Sequence, residues 1–227
     1  MKRFTIARVA AVFGALSLLL ANSFVAAQLQ PGSAMWEPDI RRFEEADRAN
    51  PPQPGAVLFI GSSSILRWTT LAADFPGARV LNRGFGGSRL ADSTHYAGRI
   101  VVPYRPRMIV LYAGDNDIND AHSAQQVFDD YVAFVARVRK DLPATPIAFV
   151  SIKPSPSRVR FLAVMREANA KIRRYAATHP HLVYIDVASP MLDAAGQPRA
   201  ELFSEDRLHM NRRGYDLWRG IIAPFLH

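Results

Sequence analysis

The chain has 227 residues, 49% of them apolar and 21% charged, a balance that supports one globular domain with a buried core and excludes a disordered chain. The formal charge of +8 drops to +5 without Lys2, Arg3 and Arg8, and the other cations are scattered, as in Arg41-Arg42, Arg173-Arg174 and Arg212-Arg213, so no nucleic-acid partner is expected. Cysteine is absent, which rules out a disulfide framework and thiol catalysis.

Lys2, Arg3 and Arg8 precede an apolar run from Val9 to Leu20, and Val25 and Ala27 are placed for cleavage before Gln28. This is the layout of a secretory signal over residues 1–27. An uncleaved anchor fits less well, because the run falls short of the about 20 residues a spanning helix needs and Asn22-Ser23 interrupt its end. The chain is therefore expected to be exported, periplasmic or secreted, without stable membrane insertion after cleavage.

Residues 28–55 hold a predicted helix over Pro38 to Asn50, with Ile40, Phe43 and Ala46 at helical spacing, and a Pro-rich linker ending at Gly55. From residue 56 to 227 strands and helices alternate. Apolar runs of strand length occur at Ala56 to Ile60, Arg79 to Leu81, Met108 to Ala113, Ile147 to Ile152 and Leu182 to Val187. Helical periodicity follows Ser123, an N-cap with Gln126 three residues on, then covers Phe161 to Thr178 and the segment from Asn211 to Ile222. Such alternation predicts an α/β fold with a five-stranded parallel sheet covered on both faces.

Sites in such sheets form outside the carboxyl ends of the strands. After the first run stands Gly61-Ser62-Ser63-Ser64, after the second Asn82-Arg83-Gly84-Phe85-Gly86-Gly87-Ser88, and after the third Gly114-Asp115-Asn116-Asp117. A serine at the first turn is either a helix N-cap or a nucleophile, and the latter needs a base. Local sequence does not choose among Ser62, Ser63 and Ser64.

Two histidines follow an acid by three residues, in Asp206-Arg207-Leu208-His209 and Asp92-Ser93-Thr94-His95. Arg89 to Ile100 reads as helical, so Asp92 and His95 are expected to form an exposed ion pair, whereas His209 lies in a loop-like stretch suited to catalysis. His122, His179, His181 and His227 are read as surface residues. Gly87 permits close backbone approach and Asn116 supplies an amide, both suited to stabilising an oxyanion, although turn roles account for each equally well alone.

Phe59-Ile60-Gly61-Ser62-Ser63, Asn82 to Ser88, Gly114-Asp115-Asn116-Asp117 and Asp206 to His209 resemble, in order, the four motif blocks of the SGNH (GDSL-like) hydrolases. The resemblance spans about Ala56 to Phe225 and implies a flavodoxin-like three-layer α/β/α sandwich. It also implies Ser63 as nucleophile, His209 as base and Asp206 as its partner, with oxyanion donors from the Ser63 and Gly87 N–H groups and the Asn116 side chain. No metal or organic cofactor is implied. The chain departs from the family pattern at Ser62, where Asp is usual, and at Arg207, where Gly is usual. Ser62 is expected to hydrogen-bond locally as the Asp would.

The resemblance implies ester hydrolysis through an acyl-enzyme. The expected partner is a small ester or acylated saccharide, with lysophospholipid and thioester substrates as alternatives. A non-catalytic binding module and an acyltransferase using the same triad are the competing functions. Trp68, Arg83 and Arg89 stand near the motifs, either lining a pocket or packing.

Overall fold

The computed structural model describes residues 33–226; the predicted signal over 1–27 and His227 lie outside this range. Five parallel strands, β1 (Val57–Gly61), β2 (Val80–Gly84), β3 (Met108–Tyr112), β4 (Ile147–Val150) and β5 (Leu182–Ile185), pair in the order β2-β1-β3-β4-β5. β1, β3 and β4 are buried along their whole length, which explains their unbroken apolar sequences.

The two-residue period of a strand divides this apolar set between two faces. Leu58, Ile60, Ile109, Leu111, Ile147 and Phe149 pack with the helices α1 (Glu37–Ala49), α4 (Leu90–Ile100), α6 (Ala124–Arg139) and α7 (Leu162–Thr178). Val57, Phe59, Val110, Tyr112, Ala148 and Val150 face the short helices α2 (Ser63–Leu66) and α3 (Leu71–Asp74) and the closing helix α8 (Arg212–Ile222). A further short helix, α5 (Asp115–Asn119), follows β3. The result is the expected α/β/α sandwich, and no helix among the described residues is long and apolar enough to cross a membrane.

Local signals set several boundaries. Ser123 and Gln126 form the predicted capping box at the start of α6, and the Asn211 side chain accepts the Gly214 N–H to start α8. α1 is built into the same core as the sheet, with Trp36 and Ile40 buried.

β2 runs past the predicted Leu81 end through Asn82-Arg83-Gly84. The polar residues are tolerated because each has partners: Arg83 donates to Asp47 and Tyr104 and lies over the Phe43 and Tyr104 rings. Arg83 therefore pins α1 to the sheet. Trp68 also packs, ringed by Phe59, Phe75, Tyr215 and Trp218. Its indole N–H donates to Asp74, and the Asp74 carboxylate in turn accepts from Arg212 at the start of α8.

Candidate active site

The carboxyl ends of β1, β2 and β3 are level, with Gly61 opposite both Gly84 and Tyr112. In the order 2-1-3-4-5 the connections diverge between β1 and β3, and that is where a doubly wound sheet opens a crevice. Ser63 follows β1 and Asn116 follows β3, so the crevice has one on each side.

Gly61 makes the turn after β1 possible. Its φ is +137°, and a Cβ there would stand 1.7 Å from the Tyr112 carbonyl oxygen, a distance no side chain tolerates. The chain then enters α2 with Ser63 as its first helical residue, whose N–H has no intrahelical acceptor. Gly84 lets α2 sit directly on the end of β2, because a Cβ there would meet Leu66 N at 2.3 Å. Asn82 ties the two turns, donating to the Ile65 carbonyl and accepting from Gly84 N–H.

Among the three adjacent serines the structure draws a clear distinction. Ser62 and Ser64 are buried, whereas Ser63 is half-buried with its Oγ 2.9 Å from His209 Nε2. Ser62 does not make the expected local hydrogen bond: its hydroxyl is buried and has no partner among the described residues. An unpaired buried hydroxyl costs about 1–3 kcal/mol.

On the other ring nitrogen, His209 Nδ1 lies 2.6 Å from Asp206 Oδ2. The second Asp206 oxygen accepts the N–H groups of Leu208 and His209, so the carboxylate closes its own turn. Burial works against the Asp206 charge, but the His209 ring and those two N–H groups outweigh it and hold the carboxyl well below the usual range. Arg207, where the family has Gly, adopts φ +56°. A left-handed non-glycine residue costs about 1–2 kcal/mol, and the turn keeps that geometry through the Arg207 N–H to Ser204 and the Ser157 N–H to the Arg207 carbonyl.

Gly87 lies in a turn with φ +78°, beside Trp36, whose indole N–H holds the Gly86 carbonyl. Asn116 is not an Asx turn. Its amide donates to the Ser88 carbonyl and its oxygen accepts from Arg158, each at 3.0 Å, leaving one amide N–H for a ligand. Arg158 lies outside the three segments that follow β1, β2 and β3, where the candidate residues were expected. The segment after β4, Lys153-Pro154-Ser155-Pro156-Ser157-Arg158, obeys the same strand-end rule and carries two basic residues.

Asp92 and His95 do not form the expected ion pair. Asp92 is fully buried and accepts from Ser33 Oγ and Arg89 N–H, capping its own helix, while the His95 ring packs edge-on against Tyr96. Position three of a helix faces back to the cap, which consumes the carboxylate. Arg89 lies half-buried between Asp92 and Asp120. His179 and His181 are exposed as expected.

His122 is half-buried rather than at the surface, and with Asp117 and Asp130 it brings three potential ligand atoms within 4.8 Å of one another. No hydrogen bond or ion pair among the described residues joins this group to Ser63, His209 or Asp206. Burial pushes the Asp117 carboxyl up to about 7 against the opposing Leu90 N–H, with Asp130 and Asp115 adding to the rise. In the unfolded chain an Asp titrates near about 3.9, so the folded protein binds the extra proton across that window. Stability should therefore fall as pH rises from about 4 to about 7, by up to about 1.4 kcal/mol per pH unit from this group. Asp117→Asn keeps an oxygen for Leu90 N–H and is expected to flatten the slope. Urea unfolding at about pH 5 and about pH 8 measures it, and an unchanged slope in the variant would count against the assignment.

The family model of the GDSL-like Lipase/Acylhydrolase family matches residues 35–217. No curated protein matches the chain. Among solved structures, a GDSL-like lipase from Bacteroides thetaiotaomicron is 20% identical with TM-score 0.71, the match covering 83% of this chain and 97% of the other. A protein assigned as an acylhydrolase from Bacteroides fragilis is 22% identical with TM-score 0.72, covering 82% and 94%. A carbohydrate esterase family 3 protein from Talaromyces cellulolyticus is 19% identical with TM-score 0.59, covering 76% and 96%. At these identities the solved structures bear on the fold, and the family match bears on the chemistry. The chain belongs to the GDSL-like lipase/acylhydrolase family, and is an ester-hydrolysing enzyme.

Proposed function

We propose that this enzyme is an exported serine esterase that cleaves carboxylic esters of short acyl groups through an acyl-enzyme on Ser63. The observation that carries this reading is the unbroken chain from Ser63 Oγ to His209 Nε2 at 2.9 Å and from His209 Nδ1 to Asp206 at 2.6 Å. His209 takes the Ser63 proton as Oγ bonds to the ester carbonyl carbon, and returns it to the departing alcohol oxygen when the C–O bond breaks. Water then attacks the acyl-enzyme, giving its proton to His209, and the acid leaves as Ser63 regains its proton. The negative charge that forms on the carbonyl oxygen in both halves is met by the Ser63 and Gly87 N–H groups and the Asn116 amide.

The leader over residues 1–27 is the basis for proposing an exported, periplasmic or secreted enzyme. An acylated saccharide is the favoured substrate, a reading supported by the exported context and by the fold shared with the Talaromyces carbohydrate esterase.

A serine-reactive phosphonate tests the assignment. The purified chain is expected to gain one phosphonyl group, mapped by peptide mass to Ser63, with loss of activity on a short-chain chromogenic ester. Labelling at Ser62 or Ser64, or none, would overturn the reading. A panel of graded acyl and alcohol groups, including acetylated sugars, then ranks the substrates.

A further inference from the structure

Behind Asn116 lies a charged group that the triad does not use. Lys153, Asp115 and Arg158 are 1%, 4% and 8% exposed. One Asp115 oxygen lies 3.1 Å from Lys153 Nζ and 3.1 Å from Arg158 Nη1, while Arg158 Nη2 donates to Asn116 Oδ1 at 3.0 Å. Two cations share one carboxylate, so a net positive charge is buried against the amide. Buried ion groups of this kind contribute little to stability once desolvation is counted, and that directs attention to what this one does for its neighbour.

Arg158 has only donors to offer, so it must face the oxygen end of the Asn116 amide and thereby turn the nitrogen end toward the Ser88 carbonyl. With both ends held, the remaining amide N–H has one direction. A guanidinium on the carbonyl oxygen also draws electron density from the amide nitrogen, which makes that N–H a better donor.

The geometry points to Arg158 as a positioning residue that orients and polarises the Asn116 amide for the oxyanion, with Asp115 and Lys153 holding Arg158 in place. This rests on the function proposed above. The preorganised donor then costs no reorganisation when the negative charge appears.

A double-mutant cycle on a short-chain chromogenic ester tests the role. Arg158→Met is expected to lower kcat by about 10- to 100-fold with KM changed less than about threefold, since the lost interaction acts in the transition state. In an Asn116→Ala background the same change should cost less than about threefold, because its target is gone. Arg158→Lys should recover part of kcat, as a charge without the planar fork. Equal losses of kcat in both backgrounds, or an unchanged kcat in Arg158→Met, would overturn the proposal. Circular dichroism checks folding, and if Arg158→Met does not fold, the cycle is run with Arg158→Lys under the same criterion of non-additivity. Phosphonate labelling of the parent enzyme separates the two readings: an unlabelled Ser63 defeats the proposed function, whereas a labelled Ser63 with additive losses defeats the Arg158 role alone.

Discussion

Ser63→Ala is expected to lower kcat for ester hydrolysis by about a millionfold, the scale seen when the nucleophile of a serine triad is deleted. The change removes the oxygen that His209 Nε2 engages at 2.9 Å and leaves no other hydroxyl in its place, since Ser62 and Ser64 are buried. Stability should shift by no more than about 0.5 kcal/mol, as for other changes away from packed or capping positions, because the Ser63 side chain is half-buried and caps nothing. Steady-state kinetics with a thermal melt decide the matter. Folded Ser63→Ala with appreciable activity, or a comparable loss in Ser64→Ala alone, would sink the assignment.

Asp206→Asn is expected to lower kcat by about 10³- to 10⁴-fold, and to be at least as damaging as Asp206→Ala. The Leu208 and His209 N–H groups both require an acceptor and now share one Asp206 oxygen. In the Asn variant the amide oxygen satisfies them, so the NH₂ group is turned toward His209 Nδ1. That donor forces the ring proton onto Nε2, which faces Ser63 and can no longer accept its proton. Alanine imposes no tautomer, and Asp206 is open enough to solvent, with its side chain 42% exposed, for water to replace part of its role. A kcat for Asp206→Asn within tenfold of the parent, taken on the same ester, would contradict this reading. The Asp206 carboxyl is held well below the usual carboxylate range by the His209 hydrogen bond and the two backbone N–H groups, against the effect of burial. Its own titration should therefore contribute nothing to the pH profile near neutrality.

Much of the fold was legible because it depends on local pattern. The Ser123 and Gln126 capping box and the starts of β3, β4 and β5 are properties of short segments and appear where the pattern placed them, whereas β4 and β5 end at Val150 and Ile185, two residues before their apolar runs do. The end of β2 was not legible, since Asn82 and Arg83 enter the strand only by virtue of partners on α1 and α2. The two acid-histidine pairs were alike in spacing, and their fates diverged because Asp92 sits at the third position of a helix while Asp206 closes an irregular turn.

The order of strands and helices, and the strand-end segments that carry the candidate residues, were determined by the sequence itself, because periodicity acts over a few residues. Which serine meets His209, and what holds Asn116, were decided by tertiary structure. Ser63 and His209 are 146 residues apart, and Asn116 and Arg158 are 42 apart. Those contacts exist only because the parallel sheet brings the ends of β1, β3 and β4 and the segment between β5 and α8 to one edge, and no local pattern encodes a distance that folding alone closes.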